Sequence, residues 1–250
     1  MKYIDCHCHL SDKYFFRQIK ELVIEWEKLG VKKIGAMTIN PKTAKRNLEL
    51  VKSYPKLIVL AIGRHPWGAH KFTEEEKIEF EELAKNKNTE VIGEIGLDCY
   101  FVKEKEKYEK QVEMFEFFLD LAEKNSKPVM LHTTGAERDI ANILTTKSPK
   151  VNVCCHWFSG PKKELDKLID MGCYFSINPA VLKSQKHQTV LEKVPLDRLL
   201  TESDGPIKFD KKKGSPALMP FLCEEIAKIL NIEVEQFTDT VFKNYKKYLK

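Results

Sequence analysis

Two imidazoles two residues apart, in Asp5-Cys6-His7-Cys8-His9, are the first groups along this chain with the means to do chemistry. On a strand the side chains alternate, so Asp5, His7 and His9 point to one side and Cys6 and Cys8 to the other. The two histidines then form a metal clip. The thiols turn towards an outer helix layer, which argues against a four-ligand Cys/His zinc site. Four more groups of the same kind stand at the ends of apolar runs: Glu94 in Val91-Ile92-Gly93-Glu94-Ile95-Gly96-Leu97-Asp98, His132 after Pro128-Val129-Met130-Leu131, His156 after Val153-Cys154-Cys155, and Asp204 after Leu199-Leu200-Thr201-Glu202-Ser203. An isolated histidine is more often structural than functional. Four histidines and two carboxylates at matched positions reverse that weighting.

Four nitrogens and two carboxylates exceed what one tetrahedral ion takes, but they suit two divalent ions sharing a carboxylate. Such ions, ~3.5–4 Å apart, clamp the attacking and leaving oxygens of a displacement. Nitrogen and oxygen donors without thiolate fit zinc, manganese or cobalt, and magnesium where water completes the shell. The expected cofactor is therefore two divalent ions (Mg, Mn or Zn), whose identity the donor set leaves open.

Bringing these groups together requires a scaffold that delivers strand ends to one rim. Eight short β-rich runs, 3–6, 33–37, 57–62, 91–95, 129–131, 151–155, 174–177 and 199–201, alternate with helical patterns. Ile19, Leu22, Val23, Trp26 and Leu29 follow the spacing of a one-sided apolar stripe, as do Tyr108, Val112, Phe115, Leu119 and Ala122. Weaker patterns cover 43–53, 74–85, 162–171 and 184–193, and two helices close the chain at 217–230 and 234–248. The repeat is about 28 residues per β-plus-α unit, which suits a barrel of ~250 residues. Strict alternation predicts a parallel α/β sheet, and eight units predict its closure into a (β/α)8 TIM barrel with catalytic groups at the carboxyl ends of the strands. An open doubly wound sheet is the competitor. Its dinucleotide fingerprint is missing, because Gly93-Glu94-Ile95-Gly96 lacks the third glycine and sets a carboxylate where a pyrophosphate would sit. No linker interrupts the pattern, so residues 1–250 read as a single domain.

Composition excludes several classes. Of the 250 residues 42% are hydrophobic and 32% charged, enough for a core and unlike a disordered chain. The longest apolar run is six residues, 57–62, against about 20 for a membrane helix, so no membrane partner is expected. The net charge of +5 permits an anionic substrate. Seven cysteines, no leader pattern and no Asn-x-Ser/Thr sequon point to free thiols in a reducing cytoplasm.

The order and spacing of His7-x-His9, Gly93-Glu94-Ile95-Gly96-Leu97-Asp98, His132, His156-x-Phe158-Ser159-Gly160 and Glu202-Ser203-Asp204-x-Pro206 resemble the TatD family of metal-dependent deoxyribonucleases, from Tyr3 to the last helix. The resemblance implies an amidohydrolase-like barrel, a two-metal centre and hydrolysis of phosphodiester bonds in DNA, often as a 3′→5′ exonuclease. Carried over by position, it implies that His7, His9 and Asp204 hold one metal and His132 and His156 the second, with Glu94 bridging. Asp204 would also orient or deprotonate the attacking water, and Glu202 would support the site from behind. His65, in Gly63-Arg64-His65-Pro66, matches the family's Gly-x-His-Pro segment, where it touches a phosphate oxygen, protonates a leaving group, or merely buttresses a loop. Glu94, Asp204 and His65 are thus the catalytic candidates.

Three departures bear on substrate. His132-Thr133-Thr134 stands where the family commonly has His-Ser-Arg, although Arg138 follows on the next helix; Trp67 replaces a second histidine after His-Pro; and Trp157 replaces a frequent cysteine. Arg64, Arg138, Trp67 and Trp157 are the candidate substrate contacts. The two indoles either stack an unpaired base or pack under loops, and Lys208, Lys211, Lys212 and Lys213 either track a phosphate backbone or form a solvated loop. The leading expectation is hydrolysis of single-stranded or frayed DNA. The missing arginine motivates an alternative, an amide or ester hydrolase on the same centre such as a D-aminoacyl-tRNA deacylase. Carbon-centred amidohydrolases, however, often place a carboxylated lysine where this chain has Glu94. A non-catalytic nucleic-acid-binding protein is opposed by the retention of all six ligand candidates.

Overall fold

A computed structural model describes residues Met1–Lys250. Eight strands, β1 (Tyr3–Cys8), β2 (Val31–Ala36), β3 (Ile58–Ile62), β4 (Thr89–Gly96), β5 (Val129–His132), β6 (Val153–His156), β7 (Tyr174–Ile177) and β8 (Leu199–Thr201), pair in sequence order. All seven ladders are parallel. Around them run α1 (Lys13–Phe16), α2 (Ile19–Lys28), α3 (Pro41–Ser53), α4 (Glu74–Lys85), α5 (Lys105–Lys124), α6 (Glu137–Lys147), α7 (Lys162–Asp170), α8 (Gln185–Lys193), α9 (Met219–Leu230) and α10 (Val234–Tyr248). This is the expected (β/α)8 barrel. The strands are buried on both faces, which is why they read as unbroken apolar runs rather than alternating ones.

Local chemistry explains where helices begin. Asn40 caps α3 by accepting from Thr43 N–H, while the Thr43 hydroxyl accepts from Asn40 N–H, a reciprocal capping box ahead of Pro41. Thr73 caps α4, whose first turn carries Glu74, Glu75 and Glu76 against the positive end of the helix dipole. Helix α6, like the four-residue α1, is not singled out by apolar periodicity. It buries only Ile140, Ala141 and Leu144, with Glu137, along a narrow stripe, and tertiary packing rather than propensity holds it. The lysine-rich segment after β8 is not a plain loop either: β9 (Lys208–Phe209) and β10 (Lys212–Lys213) form a small antiparallel hairpin.

Two features of the barrel position the site. The first is the seam between β8 and β1, which no regular ladder spans. It is closed instead by Thr201 Oγ1 donating to Ile4 C=O, Ser203 N–H to the Asp5 carboxylate, Asp204 N–H to His7 C=O and His9 N–H to Gly205 C=O. The second is the approach of β4 to β5. Gly96 has φ +134°, and a Cβ there would stand 2.0 Å from the His132 carbonyl oxygen. Only glycine permits this contact, which sets Glu94 beside His132. No helix is long and apolar enough to cross a membrane, and all seven cysteines are free.

Candidate metal centre

The seam contacts lay Asp204 against the strand that carries His7 and His9. Glu94 reaches the same point from β4. His7 Nε2 and His9 Nε2 are 3.4 Å apart, and each lies 3.5 Å from both Glu94 Oε2 and Asp204 Oδ1. Two imidazoles and two carboxylates at these separations are too far apart for good hydrogen bonds. They suit a shared cation instead. The point equidistant from the two imidazole nitrogens and either carboxylate oxygen lies about 2.0 Å from each, the length of a Zn–N or Zn–O bond. Glu94 Oε2 is buried and has no hydrogen-bond partner, an orphaned acceptor that a cation would satisfy.

The other carboxylate oxygen of Glu94 faces a second group of nitrogens. Oε1 lies 3.0 Å from His132 Nδ1, 3.1 Å from His156 Nε2 and 3.5 Å from His65 Nε2. The rings of His7 and His156 stack at 3.9 Å, so the two groups adjoin. Each ring is oriented from behind. His132 Nε2 meets Asp98 Oδ2 at 2.9 Å, which fixes the proton on Nε2 and turns the Nδ1 lone pair inward. His156 Nδ1 lies 3.4 Å from Glu202 Oε1, an ion-pair separation, while Glu202 also accepts from Ser176 Oγ, Asn178 Nδ2 and Trp157 N–H. His65 is set the opposite way. Its Nδ1 accepts from Trp67 N–H at 3.3 Å, so its proton sits on Nε2 and points inward. His65 is near enough to count among metal donors, but its inward nitrogen is built to donate.

Charge follows this arrangement. Burial works to raise the Glu94 carboxyl, yet His65, His7, His156 and the His132 hydrogen bond hold it well below the usual carboxylate range. Burial and the neighbouring imidazoles of His132, His9 and His156 push His65 down to about 3 against the pull of Glu94. His7 is lowered by burial and by His156. Against burial, the neighbouring carboxylates instead raise His9, His132 and His156; imidazole binds a cation only in its neutral form, so filling the site would release protons. Backbone strain accompanies the site, since Trp157 and Asp204 have left-handed φ of 42° and 45°, at a cost on the order of 1–3 kcal/mol each.

The structure gathers His7, His9, His65, Glu94, His132, His156, Glu202 and Asp204 at one end of the barrel. It treats the expected substrate contacts unequally. Trp67 is half exposed and donates its indole N–H to Asp98 at 2.7 Å. Arg138 is exposed, carries no ion pair and starts α6. Arg64 is buried, with Nε donating to Gly68 C=O and Nη1 to Glu76 Oε1 at 2.9 Å each, so two of its three guanidinium nitrogens are engaged within the chain. Trp157 packs under the β9–β10 hairpin, 5.2 Å from the Phe209 ring, with its indole N–H given to His187.

Asp98 is the residue that sequence reasoning passes over. It closes the Gly93-to-Asp98 motif and ties His132 to the rim. Oδ2 pairs with His132 and Trp67, and Oδ1 accepts from the backbone N–H of Tyr100 and Phe101. Gln111 on α5 clamps its main chain from both sides. Its signal in the sequence is only its place after Gly-Leu, the end of a strand delivering to the rim.

Residues 4–250 match a family model described as TatD related DNase. An uncharacterised metal-dependent hydrolase of Methanocaldococcus jannaschii is 36% identical over 256 residues, covering 100% of this chain and 98% of the relative. A more distant relative, named 3′-5′ ssDNA/RNA exonuclease TatD, from Edwardsiella piscicida, is 26% identical over 237 residues, covering 90% of each. Among solved structures, a TatD homologue from Escherichia coli K12 superposes with a TM-score of 0.90 at 21% identity, covering 98% of this chain and 97% of its own, and shares the barrel.

Proposed function

The chain belongs to the TatD-related DNase family, a metal-dependent hydrolase acting on ester bonds, and on that premise we propose that it removes nucleotides from the 3′ end of single-stranded or frayed DNA. His7, His9 and Asp204 would hold one divalent cation and His132 and His156 a second, with Glu94 between the two donor groups. The observation that carries this reading is the division of the Glu94 carboxylate, with one oxygen facing each group of donors. The exonuclease name of the Edwardsiella piscicida relative supports the choice of substrate. The unpaired thiols support a reducing, cytoplasmic setting.

Divalent cations supply Lewis-acid polarisation of the phosphoryl group and acidify the attacking water. Around them the chain's own groups have separate tasks. Asp204, in the first donor group, takes the proton of the attacking water. His65 donates Nε2–H towards the phosphoryl or leaving oxygen, and its low proton affinity keeps it a neutral donor. Asp98 and Glu202 hold the rings of His132 and His156 in the tautomers that face inward.

The test is a 5′-labelled single strand and its duplex, incubated with Mg²⁺, Mn²⁺ or Zn²⁺ or with chelator. Stepwise shortening from the 3′ end of the single strand, lost with chelator and in Glu94→Ala and Asp204→Ala, is the expected result. Inertness towards DNA with activity on aminoacyl-tRNA would select the deacylase instead. Strand binding with no cleavage, indifferent to chelator, would select a non-catalytic protein.

A further inference from the structure

Three aromatic side chains stand on the rim beside His132 with much of their surface in solvent: Trp67 at 51%, Tyr100 at 62% and Phe101 at 63% exposed. They are in contact, Trp67 with Phe101 at 5.3 Å and Phe101 with Tyr100 at 4.9 Å between ring centroids. Neighbouring exposed rings of this size are unusual on a soluble surface and mark a binding site. They are also anchored. Asp98 accepts from the Trp67 indole N–H and from the backbone N–H groups of both Tyr100 and Phe101, so one carboxylate fixes the ring of the first and the main chain of the other two. The same Asp98 oxygen that holds Trp67 holds His132. A held indole beside two residues of fixed main chain loses less freedom than three mobile ones when a flat partner stacks on them.

We propose that Trp67, Tyr100 and Phe101 form a wall that receives the unpaired base of the terminal nucleotide, an assignment that rests on the nuclease reading above. Charge on the same rim favours this occupant. Lys103 lies over the Tyr100 ring at 5.1 Å, so a cation stands at the wall where a phosphodiester would run past it. Stacking on such a wall needs a base freed from its own stack, which makes the wall a selector for single-stranded ends. The Trp67–Asp98–His132 connection further places the stacked base within one side chain of a metal-facing imidazole.

The test compares two 5′-labelled single strands that differ only at the 3′ end, one finishing in thymidine and the other in an abasic residue. Equilibrium binding in chelator, read by fluorescence anisotropy, and kcat/KM with Mn²⁺ are measured for each. The thymidine-ended strand is expected to bind roughly 5- to 150-fold tighter, the range for stacking one base on an aromatic side chain. Tyr100→Ala and Phe101→Ala should shrink that ratio, while Phe101→Tyr preserves it. Both positions are exposed, so neither truncation endangers the fold. Equal affinity and equal kcat/KM for the two ends would overturn the wall while leaving the nuclease standing. Failure to cleave either strand with any of the three metals would overturn the nuclease reading and the wall with it. Self-association that disappears in Phe101→Ala would assign the surface to a second copy of the chain and overturn the proposal.

Discussion

Asp98→Asn tests whether the metal-facing tautomer of His132 is imposed by its neighbour. Asp98 receives four N–H donors, two on each oxygen: His132 Nε2 and the Trp67 indole on Oδ2, and the backbone of Tyr100 and Phe101 on Oδ1, at 2.7–2.9 Å. Whichever way an asparagine amide turns there, its NH₂ meets two of those donors. The least costly arrangement keeps the oxygen on the backbone pair and lets His132 move its proton to Nδ1, so that Nε2 accepts from the amide. One charge-assisted bond, to Trp67, is then lost outright, and the other becomes a neutral bond. At about 1.5–3 kcal/mol for a bond to a charged group, the variant should lose roughly 2–3 kcal/mol. That is about 4–12 °C in Tm for a chain this long, well short of unfolding it. The larger effect is chemical, because a ring protonated on Nδ1 has no lone pair for a cation. Loss of such a supporting carboxylate typically weakens metal affinity 10- to 100-fold. Calorimetric titration of chelator-treated protein with Mn²⁺ or Zn²⁺ measures this directly. Trp67→Phe is the control, since it removes an Asp98 bond but keeps the His132–Asp98 pair, and should lose stability with little change in metal affinity. Unchanged metal affinity in Asp98→Asn, or an equal loss in Trp67→Phe, would refute the tautomer reasoning.

Other outcomes follow from the same geometry. His65→Ala should cut kcat by about 10²–10³-fold, the range for losing one hydrogen-bond donor aimed at a developing negative charge, with metal content by elemental analysis unchanged; lost metal would make His65 a ligand after all. Asp204→Ala should abolish turnover with a native circular dichroism spectrum. Adding divalent cation at 100 times its Kd should stabilise the chelated protein by about 2.7 kcal/mol, or roughly 5–10 °C in Tm, and a Tm blind to the metal would mean that the donor cage binds none. Arg64→Ala should lower Tm, because it leaves Glu76 unpaired, while KM for the strand stays put; a raised KM at constant Tm would restore Arg64 to the substrate.

The barrel was legible because parallel strands covered on both faces must be apolar throughout, and each of the eight runs became a strand with ends shifted by at most two residues. Helix α6 was not, because three apolar positions among threonines and charges carry too little periodicity. At the site, the inward-facing groups were readable from their place after strands. Their supporting partners were less so: Asp98 acts through side-chain and main-chain bonds that depend on the turn following β4, which spacing alone does not describe. The intramolecular partners of Arg64 and Trp157 were hidden for a related reason. Sequence position puts both on the rim, but a long side chain on a rim can turn inward to a carboxylate such as Glu76, or lie beneath a neighbouring hairpin.

The irregular seam explains why chemistry gathers where it does. A ladder between β8 and β1 would consume the backbone groups at their carboxyl ends in a fixed repeat and hold Asp204 in extended geometry. Here Ser203 N–H goes to a side chain, Asp5, and Asp204 takes a left-handed backbone that a ladder forbids. That turn carries the Asp204 carboxylate back to the His7–His9 pair, to 3.5 Å from both rings. Asp5 sits beneath it, fully buried and pushed up to about 7 by that burial against the hydrogen bonds it accepts. The barrel therefore closes through the residues that brace the donor cage, and closing the fold and building the site are one structural event.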